Sequence, residues 1–326
     1  MSQRTLLFSV LAGAVAFPFV ANALGEGYYI GFATRVMIYA LAASSLNLLL
    51  GYGGMISFGH AAFFGAGAYT VAILAQEGVV SAVAAWPLAV AVSALIALVI
   101  GALSLRTRGL YFIMITLAFA QMLYYFFISL RTYGGEDGIN LAARSRLPGL
   151  DLANDGAFYF VVLAALGVSL YLLKRLAASR FGAVLHGIRE NEARMTALGY
   201  PTYRYRLVCF VIAGGMAGLA GALIANQNGF VSPNLLHWMQ SGTLLVMLIL
   251  GGVGLLYGGV AGAVALLVLE EVLSAYTEYS KFVVGCLMLL VVLYAPGGIG
   301  AWIARKNARG QTLENAREHA RGGARA

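Results

Sequence analysis

The chain has 326 residues, of which 61% are hydrophobic and 10% are charged, and its mean hydropathy is +0.83. Soluble domains carry about 25% charged residues, so this composition excludes a soluble fold and requires lipid as the surrounding solvent. The net charge of +8 does not indicate nucleic-acid binding, because membrane proteins collect Lys and Arg on the cytoplasmic side. The cysteines, Cys209 and Cys286, lie in apolar runs, which predicts small core residues rather than a disulfide.

The succession of apolar runs predicts an all-α polytopic membrane protein with about ten transmembrane helices. The runs cover residues 5–24, 29–50, 55–75, 82–105, 110–130, 157–173, 206–228, 241–257, 259–276 and 281–299. Glycines between Gly251 and Gly262 leave open that the eighth and ninth runs form one broken helix pair. We divide the chain into a transmembrane domain, 1–305, and a polar Arg-rich tail, 306–326.

The distribution of charge predicts that both termini face the cytoplasm. With the N-terminus inside, the inner segments receive most of the basic residues, and 174–206 alone holds seven of the 21 Lys and Arg. The outer loops receive few Lys and Arg and several acidic residues, as the positive-inside rule requires. The first run, followed by Ala21-Asn22-Ala23, also matches a signal peptide, so cleavage there is an open alternative.

The segment 174–206 is the long polar segment of an otherwise apolar chain, and we expect it to be a cytoplasmic loop that offers a docking element. Apolar residues recur in it at helical spacing, which predicts one amphipathic helix over 181–199. The stripe consists of Phe181, Val184, Leu185, Ile188, Met195 and Leu198. Gly199 suits the helix C-cap, and Pro201 prevents continuation. Such a helix could insert into a soluble partner or lie on the lipid surface, and Glu190 and Glu192 favour docking because they interrupt a basic face.

A glycine-rich run over 47–70 is a candidate for lining a path across the membrane. Its glycines allow close backbone approach or a broken helix at membrane depth. They are Gly51, Gly53, Gly54, Gly59, Gly65 and Gly67. Ser57 and His60 add side-chain polarity, and Asn47 and Tyr52 are weaker candidates. The alternative is ordinary helix packing, with Ser57 bonded to its own helix and His60 to a neighbour.

Two acidic features are further candidates. Glu270 and Glu271 lie near the outer end of the ninth run, where at most one of them can face a pore squarely. Glu270 could attract an amino group, or it could snorkel or pair with a helix end. The outer segment 134–140 (GGEDGIN) could touch another protein outside the membrane or form a plain acidic turn.

The residues 180–223 resemble the coupling loop of permease subunits in ABC importers for branched-chain amino acids. The matching residues are Gly182, Arg189-Glu190-Asn191-Glu192 and Ala197-Leu198-Gly199, followed by a span rich in Ala and Gly. The run 53–60 resembles the family signature Gly-Gly-x-x-Ser-x-Gly-His, and 250–264 and 294–300 match as well. The resemblance covers residues 35–303 and is closer to the M-type subunit than to its H-type sister.

The resemblance implies a bacterial inner-membrane complex. An H-type sister permease would pair with this chain, two cytoplasmic ATPases would bind the inner loops, and a periplasmic protein would deliver substrate. The chain lacks the G-x-x-x-x-G-K-[ST] motif, so ATP and Mg would be bound by the partners, and we expect no cofactor, metal or catalytic residue here. Urea, short amides and aromatic acids are alternative substrates for this class. A secondary transporter is less favoured because the spans hold few charges, and a membrane enzyme because no catalytic set is evident.

Overall fold

The computed structural model describes residues 12–21, 27–277 and 279–294 of the chain. The predicted helical architecture is confirmed for this part, apart from one short two-stranded ribbon. The helices are α1 (Ala12–Ala21), α2 (Gly27–Asn47), α3 (His60–Gln76), α4 (Ala82–Ser104), α5 (Leu110–Ser129), α6 (Asp155–Ala177), α7 (Arg180–Glu190), α8 (Glu192–Ala197), α9 (Thr202–Asn228), α10 (Trp238–Gly251), α11 (Gly258–Tyr276) and α12 (Ser280–Tyr294). Asn22 and Ala23 of the possible cleavage motif, the end of the last apolar run and the tail 306–326 lie outside the described residues.

Six helices in the described part are long and apolar enough to cross a membrane. They are α2 with the π-helical turn that extends it to Tyr52, α4, α5, α6, α9 and α11. The remaining apolar helices, α1, α10 and α12, are shorter over their described residues, and α3 has 17 residues. The protein is therefore a polytopic membrane protein.

Burial separates central helices from peripheral ones. The most apolar windows of α2 and α9 are 78% and 67% buried inside the chain, whereas those of α4 and α5 are only 28% and 22% buried. Since α4 and α5 are apolar on their exposed faces, those faces suit lipid contact. The central position of α2 and α9 places their polar residues inside the protein.

Small residues bring α9 against α3 and α4. A Cβ on Gly67 of α3 would lie 2.6 Å from the Cα of Gly218 in α9, so neither helix can approach this closely with a side chain there. Ser93 of α4 donates a hydrogen bond to the Phe63 carbonyl of α3 at 3.0 Å. Close approach of backbones through small residues is how helices associate where lipid provides no hydrophobic driving force.

The connections divide between two ends of the helix bundle. One end, called here the loop end, holds α7 and α8 together with the connections 105–109 and 252–257, and Arg108 pairs with Glu192 there at 3.5 Å. The opposite end holds the antiparallel ribbon of β1 (Ile139–Asn140) and β2 (Phe230–Val231). The segments 105–109 and 174–206, which the charges assign to the inside, thus lie at the end opposite the acidic segment 134–140.

Two predicted elements need correction. The helix expected over 55–75 begins only at His60, because Gly54 has a φ of +66° and 53–59 is non-helical. The single helix expected over 181–199 is two helices, α7 and α8, separated at Asn191, which has extended backbone. The eighth and ninth runs, by contrast, are two separate helices, α10 and α11, joined by 252–257, as predicted.

The two cysteines differ in environment. Both are free thiols, which agrees with the prediction that they do not form a disulfide. Cys209 is buried in α9, which confirms the core prediction for this residue. Cys286 in α12 is exposed, so the core prediction was wrong there, because an apolar run in a membrane protein can face lipid as well as protein.

Candidate functional site

The non-helical segment 53–59 is held by side chains of two other helices. Ser241 of α10 donates to the Phe58 carbonyl at 2.7 Å and accepts from the Ala61 amide at 2.8 Å. Thr116 of α5 accepts from the Phe58 amide at 3.3 Å. Non-helical backbone at membrane depth is tolerated only where protein or a water-filled cavity satisfies it, and here side chains of the protein do so. We call Ser45, Ser57, His60, Thr116 and Ser241 the polar seam.

His60 begins α3 within the polar seam and is fully buried. The Ser45 hydroxyl donates to the Ala42 carbonyl at 2.7 Å, so its oxygen is left to accept from Nε2 of His60, also at 2.7 Å. This contact is the neighbour bond that the helix-packing alternative anticipated for His60. Ser57 is also buried, but its oxygen accepts from the Gly59 amide at 3.1 Å rather than bonding to a helix carbonyl.

Asn47 ties the end of α2 to the connection between α10 and α11. Its Nδ2 donates to the Leu255 carbonyl at 2.6 Å, and its Oδ1 accepts from the Gly254 amide at 2.9 Å. Asn47 is 2% exposed, and both the nitrogen and the oxygen of its side-chain amide join two distant segments. A Cβ on Gly51 would lie 2.7 Å from the Gly254 nitrogen, which explains a glycine at this contact.

Arg189 of the loop helix α7 also contacts the end of α2. Its Nη1 donates to the carbonyl of Gly51 in the π-helical turn. Its aliphatic stem covers Gly54, where a Cβ would lie 2.9 Å from Cγ of the arginine. We call Asn47, Gly51, Gly54, Arg189 and Gly254 the glycine junction. The junction brings together the candidate loop residue Arg189 and the candidate path residues Asn47 and Gly54, and the chain continues from Gly53, which is buried, into the polar seam.

The apolar stripe of the loop faces the chain's own core. Leu185 and Ile188 are 0% and 4% exposed, and Val184 is buried beside them. The expectation that this stripe inserts into a partner was therefore wrong, because the membrane helices of the same chain already cover it. Phe181 is half-buried, with its ring stacked on Tyr205 at a centroid distance of 5.5 Å.

The break between α7 and α8 is built from polar caps. Asn191 ends α7 and starts α8, and its Oδ1 accepts from the Arg194 amide at 2.9 Å. At the other end of α8, Gly199 has a φ of +85°, its amide donates to the Thr196 carbonyl, and the Tyr200 amide donates to the Met195 carbonyl. These two bonds form a Schellman motif, which confirms the prediction of Gly199 as a helix C-cap.

The loop presents a mixed charged and apolar surface to solvent. Glu192 is held by Arg206 at 3.2 Å and by Arg108 at 3.5 Å, which fixes α8 to the bundle. Glu190 is exposed and lies 3.7 Å from His186. Leu198 is 66% exposed at the end of α8, unlike the rest of the predicted stripe. Gly182 is buried, and a Cβ there would lie 2.7 Å from the Leu176 carbonyl.

Glu270 is not part of the polar seam. It lies half-buried in α11, about 18 Å along the helix from Gly258 at 1.5 Å per residue, towards the end opposite the loop helices. Its neighbour Glu271 accepts a hydrogen bond from the Tyr28 hydroxyl at 2.5 Å. The geometry therefore separates this pair from the other path candidates.

The acidic segment 134–140 forms a turn that leads into β1. Gly134, Gly135 and Gly138 all have positive φ, and a Cβ on Gly138 would lie 3.0 Å from the Phe230 ring of β2. Beside the turn, Tyr133 donates to Glu77 at 3.2 Å, and the charge of Glu77 raises the pKa of the tyrosine. The plain-turn interpretation thus describes the backbone here.

Sequence reasoning missed several of these contacts. Ser45, Thr116 and Ser241 are small polar residues in apolar runs, but Ser45 and Ser241 have polar neighbours, Ser44 and Gln240, so nothing local distinguishes them. The bond between Arg189 and Gly51 joins residues 138 positions apart, and no local pattern encodes it.

Comparison with known proteins identifies the family. The family model described as branched-chain amino acid transport system / permease component matches residues 28–292. The chain is 30% identical over 323 residues to the high-affinity branched-chain amino acid transport system permease protein LivM of Salmonella typhimurium, and 29% identical to LivM of Escherichia coli. Each alignment covers 92% of this chain and 75% of the relative. LivH of Salmonella typhimurium is 34% identical over 123 residues, which cover 37% of this chain and 40% of LivH. No solved structure matches the chain. The chain therefore belongs to the family of permease components of branched-chain amino acid transport systems, and its similarity over nearly the full length is to the M-type permease.

Proposed function

We propose that this chain is one of two membrane subunits of an ATP-driven importer in the bacterial inner membrane, and that it forms half of a path for branched-chain amino acids. The observation that carries the proposal is the family match over residues 28–292 together with the M-type similarity. The position of the glycine junction supports it, because a loop helix and a candidate path segment meet there. A subunit that is driven by separate ATPases would need both a loop helix that contacts them and a path segment linked to that helix.

The proposed topology has ten spans with both termini in the cytoplasm. Its support is the grouping of connections, since Arg108 and Glu192 belong to segments assigned to the inside and pair with each other. The acidic turn 134–140 and the ribbon lie at the opposite end, which would face the periplasmic binding protein.

The proposed ATPase contact is the exposed surface that Glu190, Asn191, Leu198 and Gly199 form where α7 and α8 end. Leu198 is the apolar anchor in this proposal, because buried anchors carry most of the energy of protein contacts. Glu190, Asn191 and Gly199 would surround it at a polar rim that sets specificity. ATP and Mg would bind to the two ATPase subunits, and this chain would bind no cofactor. An H-type permease would complete the membrane part.

Reconstitution tests the proposal. The chain, an H-type permease and two ATPases are reconstituted in proteoliposomes. The binding protein and labelled leucine are added to the external solution. We expect uptake that requires ATP in the lumen and that disappears when this chain is omitted. Uptake without ATP would indicate a secondary transporter, and the assembly proposal would then be wrong.

Competition identifies the substrate class in the same vesicles. We expect excess isoleucine or valine to abolish the uptake of labelled leucine, whereas urea, acetamide and benzoate leave it unchanged. Inhibition by one of the latter three, with direct uptake of that compound, would assign the importer to the alternative substrate. The proposed ATP-driven assembly would survive that result, and the branched-chain assignment would not.

A further inference from the structure

Arg189 contacts both solvent and the interior of the bundle. The residue as a whole is exposed at the C-terminal end of α7, next to Glu190 on the proposed ATPase surface. Its guanidinium nonetheless donates to the carbonyl of Gly51. A side chain in this position lies between any partner of the loop and the end of α2.

The carbonyl that Arg189 contacts is left over by an irregular helix end. α2 continues as a π-helical turn from Leu48 to Tyr52, and the amides that close this turn donate to the carbonyls of Leu48, Leu49 and Leu50. Carbonyls in the last turn of a helix lack intrahelical donors and need partners from elsewhere. Arg189 provides such a partner at Gly51, with the stronger bond that a charged donor makes.

The space for Arg189 depends on Gly54. This residue has a φ of +66°, a conformation that side chains disfavour, and its missing Cβ leaves room for the arginine stem. Gly254, with a φ of +83°, lies on the other side, and a Cβ there would be 3.4 Å from Nη1 of Arg189. The stem and the guanidinium of this exposed arginine thus lie against two glycines from separate connections.

The backbone that Arg189 holds leads directly to the polar seam. Six residues after Gly51, the chain reaches Ser57, and Phe58 is bound by Ser241 and Thr116. The same turn is linked through Asn47 to the α10–α11 connection. A displacement of α7 would therefore act, through Arg189, on the backbone between α2 and the polar seam.

We propose that Arg189 is a positioning residue that transmits the movement of the α7–α8 unit to the polar seam, rather than a residue that binds the ATPase. The proposal rests on the proposed importer function and deepens it. It differs from a docking role in one measurable respect. Without Arg189 the ATPases still bind and hydrolyse ATP, but hydrolysis no longer drives transport.

The test compares Arg189→Ala with Arg194→Ala in the complete reconstituted complex. Arg194 is a matched control, because it is an exposed arginine of the same loop on α8. For each complex we measure ATPase co-purification, ATP hydrolysis, leucine uptake and thermal stability. For Arg189→Ala we expect unchanged co-purification, hydrolysis within about twofold of wild type, and an uptake-to-hydrolysis ratio at least about tenfold lower. For Arg194→Ala we expect the wild-type ratio.

A second variant, Gly54→Ala, disturbs the contact without removing a charge. The added methyl meets the arginine stem and occupies a backbone conformation that alanine disfavours, so we expect the same fall in the ratio. Loss of ATPase co-purification in Arg189→Ala would place Arg189 in the docking surface and overturn the proposal. Equal falls of uptake and hydrolysis with a lowered melting temperature would show a merely structural role and overturn it as well. A wild-type complex without ATP-dependent uptake would instead refute the proposed function.

Discussion

Replacing Ile188 and Leu198 separates the two surfaces of the loop. Both residues belong to the predicted apolar stripe, yet Ile188 is 4% exposed and Leu198 is 66% exposed. Truncating a buried Ile to Ala costs about 2–5 kcal/mol, from lost burial and the cavity that remains. α7 has only 11 residues and is held by few buried side chains, so we expect Ile188→Ala to release α7 locally. Leu198→Ala removes an exposed side chain and is expected to change stability by no more than about 0.5 kcal/mol.

Hydrogen exchange measured by mass spectrometry on the detergent-solubilised complex distinguishes the two variants. For Ile188→Ala we expect faster exchange of the α7 amides than in wild type, and weaker ATPase binding only as a consequence. For Leu198→Ala we expect unchanged exchange in α7 and a direct loss of ATPase co-purification. Unchanged exchange in Ile188→Ala, together with lost ATPase binding, would mean that the stripe faces the partner and that the burial described above does not hold in the complex.

Three further predictions concern the bundle. Ser241→Ala leaves the Phe58 carbonyl and the Ala61 amide without this partner and should lower the free energy of unfolding by about 1–3 kcal/mol. Thr243→Ala on the same helix should be near neutral, because the Thr243 hydroxyl bonds within its own helix. Equal melting temperatures of the two variants would contradict this prediction. Gly67→Ala forces α3 away from the backbone of α9 and should lower stability by about 1–3 kcal/mol, and a wild-type melting temperature would show that the helices are less closely packed than described. A cysteine at Asp151 should react with a membrane-impermeant reagent from the periplasm, and one at Glu192 only after the membrane is opened; the reverse pattern would overturn the topology.

The helices could be predicted because lipid imposes a simple rule on sequence. A spanning segment must satisfy its backbone internally and present apolar side chains, so runs such as 82–105 and 110–130 closely match α4 and α5. The starts of helices were less predictable where glycine is frequent. Gly54 and Gly59 permit both a helix and a break, and the choice is made by Ser241 and Thr116 in distant parts of the chain.

The loop shows the limit of periodicity as a guide to function. An apolar stripe at helical spacing states that one face is covered, but it does not state by what. A partner protein, lipid and the chain's own helices would all favour the same residues at Leu185 and Ile188. Leu185 packs in a hydrophobic cluster with Leu49 and Cys209, and Ile188 is also buried within the chain. The residue types that decide docking are then the exposed ones, such as Leu198, which the stripe alone did not distinguish.

The polar seam constrains how any path through this subunit can open. Ser57 and His60 are fully buried, and the Ser241 hydroxyl bonds to the backbone of Phe58 and Ala61. Separating these groups without replacement would leave polar atoms unpaired inside the protein, at a cost of about 1–3 kcal/mol for each. Any movement that separates these groups must therefore bring water or another polar group to the seam at the same time. In the proposed coupling, a partner that moves α7 would contribute the free energy that this exchange requires, because Arg189 contacts the neighbouring backbone.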